Sequence, residues 1–153
     1  MTPLSKLGVM NTCAHHMYMQ RIVLDTNCLL QILPTKSIYH KLWQRILSGE
    51  VSLCVNTDIM KEYEEMITLK TTPEIGRNVV EAIAHLSTTH YQEIYVHFAL
   101  IEEDKDDNKF VDCAIASDAQ YIVSNDSHFN ILKSIEWPKV VVLKLKEYFS
   151  MTT

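Results

Sequence analysis

The sequence predicts an α/β protein: a three-layer α/β/α sandwich around a mostly parallel central sheet of about five strands. Three observations lead there. The runs Ile22-Val23-Leu24, Val51 to Val55 and Tyr121-Ile122-Val123 are apolar and nearly continuous, the pattern of strands covered on both faces. Stretches of helical period lie between them. Strands alternating with helices favour a parallel sheet closed by right-handed crossovers. At 153 residues the chain fits one domain, read here as residues 21–150.

Residues 1–20 are polar and mixed, and precede the first firm element. They read as a disordered leader, or as sequence upstream of a translation start at Met17 or Met19. His15 and His16 in that stretch read as incidental rather than as a metal tract. The first strand follows at Arg21 and ends in Asp25. A short helix from Thr26 to Leu33 is then stopped by Pro34. Ser37 is placed to cap a helix through Leu47, with Ile38, Leu42, Trp43 and Ile46 at helical spacing and Gly49 ending it.

After the strand Val51 to Val55, Thr57 is the expected cap of a helix to about Leu69, with an apolar stripe of Ile59, Tyr63, Met66 and Ile67. Thr72-Pro73-Glu74 opens another, to about Leu86: a cap, proline at the first position, then an acid in the first turn. Tyr91 to Phe98 alternates weakly and reads as a third strand. An acidic loop, Glu102 to Asp106, leads to a helix over Asp107 to Ala119, with Asp106 as cap and Asp104 in the loop. The strand at Tyr121 follows, then a turn at Ser127-His128-Phe129, a last strand from Val140 to Leu143 and a closing amphipathic turn.

Composition narrows the function. Three glycines, with neither a G-x-G-x-x-G nor a Walker sequence, argue against a glycine-rich phosphate loop. A net charge of -5 gives no global signal for nucleic acid, although cations bound among clustered carboxylates would offset a local excess. Four scattered cysteines (Cys13, Cys28, Cys54, Cys113) read as reduced thiols of a cytoplasmic protein rather than a disulfide framework. No apolar run approaches the ~20 residues of a membrane span, and the first residues lack the apolar core of a secretory signal.

The functional signal is carboxylate placement. In a parallel sheet every strand's C-terminal end lies on one edge, and ligands bind there. Asp25 and Asp126 each follow an apolar strand. Glu62 sits about one turn into the helix after the second strand, flanking its buried stripe. Asp107 stands at a helix N-terminus, where the dipole favours an anion, and is the first choice for a further ligand. Asp112 is the second, with Asn108 one turn before it on the same flank. Thr26, Asn27, Asn125 and Ser124 read as supporting or loop-forming groups. His128, two residues after Asp126, is close enough to meet substrate phosphate. Lys105, Lys109 and Lys133 would line an approach for an RNA backbone.

Clustered carboxylates repel one another without metal, and suit Mg²⁺ or Mn²⁺, hard cations that prefer oxygen. Such a site hydrolyses phosphodiesters without a covalent nucleophile. Taken singly, each of these acids would equally serve as a helix cap or a solvated face. The pairing of Asp25 with Asp126 is what favours a site.

These pieces resemble the PIN-domain ribonucleases: Val23-Leu24-Asp25-Thr26-Asn27, then Glu62-Tyr63-Glu64-Glu65, then Asp106-Asp107-Asn108-Lys109-Phe110-Val111-Asp112-Cys113-Ala114, then Tyr121-Ile122-Val123-Ser124-Asn125-Asp126. They occur in family order from Arg21 to about Leu143. The D-D-N-K-F segment is similar to the subgroup of toxin components of bacterial toxin–antitoxin pairs, VapC-like proteins. The resemblance implies a Mg²⁺- or Mn²⁺-dependent endoribonuclease, dimeric, neutralised by a small antitoxin, with Asp25, Glu62, Asp107 and Asp126 as the metal site. The third ligand stays open among Asp107, Asn108 and Asp112. Single-stranded RNA is the expected substrate, because a narrow carboxylate cleft suits an unstacked strand.

Other classes fit less well. A haloacid-dehalogenase-type phosphatase needs a second Asp where Asn27 stands, and a receiver domain needs acidic neighbours that Asp25 lacks. His40, His85, His90 and His97 have no paired nucleophile and read as packing or surface residues. The remaining alternative is a catalytically silent PIN-like module that binds RNA or protein; retention of all four acids argues against it.

Overall fold

The apolar runs form the middle of a five-stranded, wholly parallel sheet in the order β3-β2-β1-β4-β5. In the computed structural model, which describes residues 19–152, the strands are β1 (Gln20–Leu24), β2 (Val51–Val55), β3 (His90–Tyr91), β4 (Tyr121–Val123) and β5 (Val142–Leu143). Helices cover both faces, which makes the expected three-layer sandwich. Leu24 pairs with Val123, and Ile22 with Leu53. Residues 1–18 of the leader, with Cys13, His15, His16 and the candidate start Met17, lie outside the described residues, whereas Gln20 already belongs to β1.

Every residue of β2 is buried, and Ile22, Val23, Leu24, Ile122 and Val123 are fully enclosed. Each such aliphatic side chain contributes roughly 1.5–3 kcal/mol by leaving water. The sheet is therefore rigid where its strands end, and that edge carries the site. Cys28, Cys54 and Cys113 are buried and free, as the composition suggested. Among the described residues no helix is long and apolar enough to cross a membrane.

The helices are α1 (Thr26–Ile32), α2 (His40–Leu47), α3 (Thr57–Lys70), α4 (Pro73–His85), α5 (Asn108–Ser117) and α6 (Leu145–Thr152). Thr72 caps α4 as expected, its Oγ1 accepting from Ile75 N. Gly49, at φ +83°, ends the chain after α2 in a left-handed conformation that glycine adopts without strain.

Several local expectations are corrected. The cap of α3 is Asn56, not Thr57: the Asn56 side chain accepts from Ile59 N at 2.8 Å. Ser37 closes a turn before α2 by accepting from Tyr39 N, and Ile38 is 77% exposed, so the helix begins at His40. The third strand stops at Tyr91, far short of Phe98. Gln92 N donates to Val55 O at 2.8 Å, and β2 offers no strand partner beyond Val55. The helix expected from Asp107 to Ala119 is a 3-10 turn, Lys105–Asp107, followed by α5, which ends where Asp118 turns left-handed at φ +54°. Asp104, not Asp106, caps that turn, its Oδ1 accepting from Asp106 N. The turn after Asp126 extends to a 3-10 helix, Ser127–Ser134, and β5 begins at Val142 rather than Val140.

Candidate active site

Asp25 is the first residue beyond β1. Its N–H donates to Val123 O at 3.0 Å, so the backbone is tied to the neighbouring strand, and its carbonyl accepts from Leu29 N as α1 begins. The side chain is only 5% exposed. Ser124 Oγ donates to Asp25 Oδ2 at 2.7 Å and accepts from Asp126 N at 3.0 Å, so one hydroxyl links the residues that end β1 and β4. Burial raises the Asp25 pKa. The Ser124 and Thr26 hydrogen bonds oppose that rise, while the charges of Asp126 and Glu62 add to it. The repulsion that the sequence implied is present.

Glu62 reaches the same edge because α3 is anchored beside it: the Tyr63 hydroxyl, fully buried, donates to Leu24 O. Thr26 Oγ1 donates to Glu62 Oε2, and Lys109 Nζ lies 2.8 Å from Glu62 Oε1. Lys109 also sits 5.5 Å above the Phe110 ring. This lysine therefore neutralises one carboxylate of the group instead of facing solvent as a free phosphate contact.

Asp107 completes the edge from the 3-10 turn before α5. It is 9% exposed, and its Oδ2 lies 3.2 Å from His128 Nδ1. Burial pushes its pKa up to about 6, with further upward pressure from Asp104, Asp126 and Asp25, and the His128 contact lowers it. Asp126 caps the 3-10 helix that follows it, accepting from His128 N at 2.9 Å. The His128 pKa is raised, chiefly by its hydrogen bond with Asp107, with burial opposing the rise and the charges of Asp126, Asp107 and Asp104 adding to it. Asp25, Glu62, Asp107 and Asp126 thus lie along the C-terminal edge of the sheet, where charge couples Asp25 to Glu62 and Asp126, and Asp107 to Asp25 and Asp126. Among the described residues, the ligand atoms gathered within 4.8 Å of one another are those of Asp104, Asp107 and His128.

Two of the expected candidates are engaged elsewhere. Asp112, 3% exposed, accepts from Phe98 N at 3.1 Å and lies 3.3 Å from His97 Nδ1. Asn108 makes a two-way clamp with Ile101, giving and receiving hydrogen bonds of 2.9 Å. One turn apart on α5, these side chains hold residues 97–101 in place of the strand expected there. Asn27 is exposed, and Asn125 Oδ1 accepts from Leu145 N at the start of α6. Asp112→Asn should leave Mn²⁺ affinity unchanged, because the amide oxygen can still accept from Phe98. Asp112→Ala should lower stability by about 1–3 kcal/mol through the orphaned N–H. Calorimetric metal titration and urea unfolding check the two expectations.

The sequence reading missed Asp104, whose Oδ2 lies 3.8 Å from His128 Nδ1. Its signal was spacing: residues three apart eclipse on a 3-10 turn, which stacks Asp104 with Asp107. It also missed the groove of ≈ 940 Å³ beside Glu62, lined by Tyr91, Tyr95, Asn108, Lys109 and Asp112 among others.

The raised Asp107 pKa has a consequence for the metal-free protein. A folded-state pKa of about 6 against the ordinary 3.8 means that the folded state binds the proton more tightly. The stability it contributes is full below the unfolded value and is lost as pH rises through about 6. The wild type in EDTA should accordingly lose more thermal stability between pH 5 and pH 7 than Asp107→Asn, as followed by thermal unfolding across that range.

The structure is a parallel α/β/α sandwich whose strand ends carry carboxylates along one edge. The chain belongs to the PIN domain family, whose model matches residues 21–128. Two crystal structures share the fold. One is VapBC2 from Rickettsia felis bound to a DNA fragment from their promoter, with 15% identity and a TM-score of 0.54 over 82% of this chain and 98% of that one. The other is DNA-bound VapBC from Salmonella typhimurium, with 16% identity and a TM-score of 0.54 over 83% of this chain and 99% of that one. No curated protein matches significantly.

Proposed function

We propose that this protein is a metal-dependent endoribonuclease and the toxin of a toxin–antitoxin pair. The observation that carries the reading is the placement of Asp25, Glu62, Asp107 and Asp126 along one edge, with Asp25 and Asp107 nearly buried and their pKa values raised by burial and mutual repulsion. The donor set fits Mg²⁺ or Mn²⁺, since carboxylate oxygens suit hard cations. Bound there, such an ion supplies an activated water and offsets charge on the leaving oxygen.

The chain's own groups prepare that chemistry. Ser124 fixes the orientation of Asp25 and, through Asp126 N, the loop that carries Asp126. Thr26 and Lys109 hold both oxygens of Glu62 until an ion competes for them. The groove beside Glu62, with Tyr91 and Tyr95 in its lining, is suited to an unpaired strand, because exposed aromatic rings stack on bases of any identity. Membership of the PIN family supports nuclease chemistry, and the likeness to VapBC complexes supports a small antitoxin as partner. A homodimer is part of the same reading.

The test is cleavage of a mixed RNA pool in Mg²⁺, Mn²⁺ or EDTA by the wild type, Asp25→Asn and Asp126→Asn. Metal-dependent cutting that both variants lose is the expected result. No cutting by folded, partner-free wild type would favour a silent binding module.

A further inference from the structure

His128 brings a ring nitrogen to the carboxylate edge. His128 Nδ1 lies 3.2 Å from Asp107 Oδ2, 3.4 Å from Asp126 Oδ1 and 3.8 Å from Asp104 Oδ2. Asp104, Asp107 and His128 each present a donor atom, all within 4.8 Å of one another. The three are set by backbone that the fold fixes. Asp104 and Asp107 bracket the same 3-10 turn, and the N–H of His128 is held by Asp126.

Two of the three Nδ1 distances approach the spacing of ligands on one ion, the shorter being a hydrogen-bond contact with Asp107. On an octahedral ion with bonds of about 2.1 Å, neighbouring ligands lie about 3.0 Å apart and opposite ones about 4.2 Å. The contacts of Nδ1 with Asp107 and Asp126 fall near the first value, and that with Asp104 between the two. The far side of the ring faces a second acid. There Nε2 lies 3.8 Å from Glu103 Oε2, an ion-pair separation too long for a hydrogen bond.

We propose that His128 Nδ1 is a direct ligand of the divalent ion held at Asp107, with Asp104 as a further carboxylate on that side. It follows that the centre favours ions that accept imidazole over Mg²⁺, which keeps to oxygen. This rests on the reading of the edge as a metal centre, and gives His128 the role of ligand instead of phosphate contact.

The test is pulsed electron paramagnetic resonance of Mn²⁺ bound to the full-length protein, read for modulation by a directly coordinated ¹⁴N. The wild type should show it. His128→Gln should lose it while still binding Mn²⁺, with affinity for Mn²⁺ down on the order of tenfold and for Mg²⁺ hardly changed. His128→Asp should restore tight binding through oxygen, without nitrogen modulation, and shift preference toward Mg²⁺. Mn²⁺ bound to the wild type without nitrogen modulation, or modulation that persists in either variant, overturns this inference and leaves the metal centre standing. Failure of the wild type to bind Mn²⁺ overturns both together.

Discussion

Asp25→Asn is expected to abolish metal-dependent RNA cleavage while leaving the metal-free protein at least as stable as the wild type. The carboxylate is 5% exposed, and burial is the largest influence on its pKa. Its two acidic neighbours, Asp126 and Glu62, disfavour its charge further. An amide removes that penalty and keeps an oxygen to accept the Ser124 hydrogen bond, which is 2.7 Å in the wild type. The same change removes an anionic oxygen from the centre of the proposed metal site. Loss of a group that merely supports a ligand lowers metal affinity about 10–100-fold, so loss of the ligand itself should reduce cleavage by at least about 100-fold. Parallel thermal unfolding in EDTA and cleavage in Mn²⁺ would separate the two effects. A variant that is unstable as well as inactive would point to a structural role for Asp25.

Phe110→Ala should be the most destabilising substitution near the site, costing about 3–5 kcal/mol. Phe110 is 1% exposed on α5, three residues after Asp107. Its ring meets that of Phe129 edge to face, 6.4 Å between centroids at 68°, and Phe129 follows Asp126 by three residues on the 3-10 helix. The aromatic pair therefore fixes the element that carries Asp107 against the one that carries Asp126. Truncation leaves a cavity and also loosens two carboxylates relative to each other. Against a domain stability of about 5–15 kcal/mol, the loss would leave little margin. Urea unfolding should show a lower midpoint with an unchanged slope. Phe110→Leu, which keeps most of the volume, should recover much of the loss and part of the Mn²⁺ affinity.

What could be read in advance follows the range of the interactions. β2 was legible to the residue because all five side chains are buried and only Ser52 interrupts the apolar run. Asp25 and Asp126 were legible because each follows an apolar strand whose direction the parallel topology fixes. The segment after Tyr91 was not. Its weak alternation suggested a strand, but its fate was decided by Asp112 and Asn108 on α5, whose bonds to Phe98 and Ile101 leave no local trace. The same holds for Lys109, which is 47 residues from the Glu62 it pairs with (109 minus 62). The Asn56 cap was a closer miss: two adjacent residues can both cap a helix, and only geometry chooses between them.

The central claim is that these carboxylates hold a divalent ion at the C-terminal edge of the sheet. Anomalous scattering from a crystal of the wild type soaked in millimolar Mn²⁺ tests it most directly. A Mn²⁺ peak within bonding distance of Asp107 and of at least one of Asp25 and Asp126 is the expected result. A map with no Mn²⁺ at that edge, in crystals where these side chains are ordered and accessible, would contradict it.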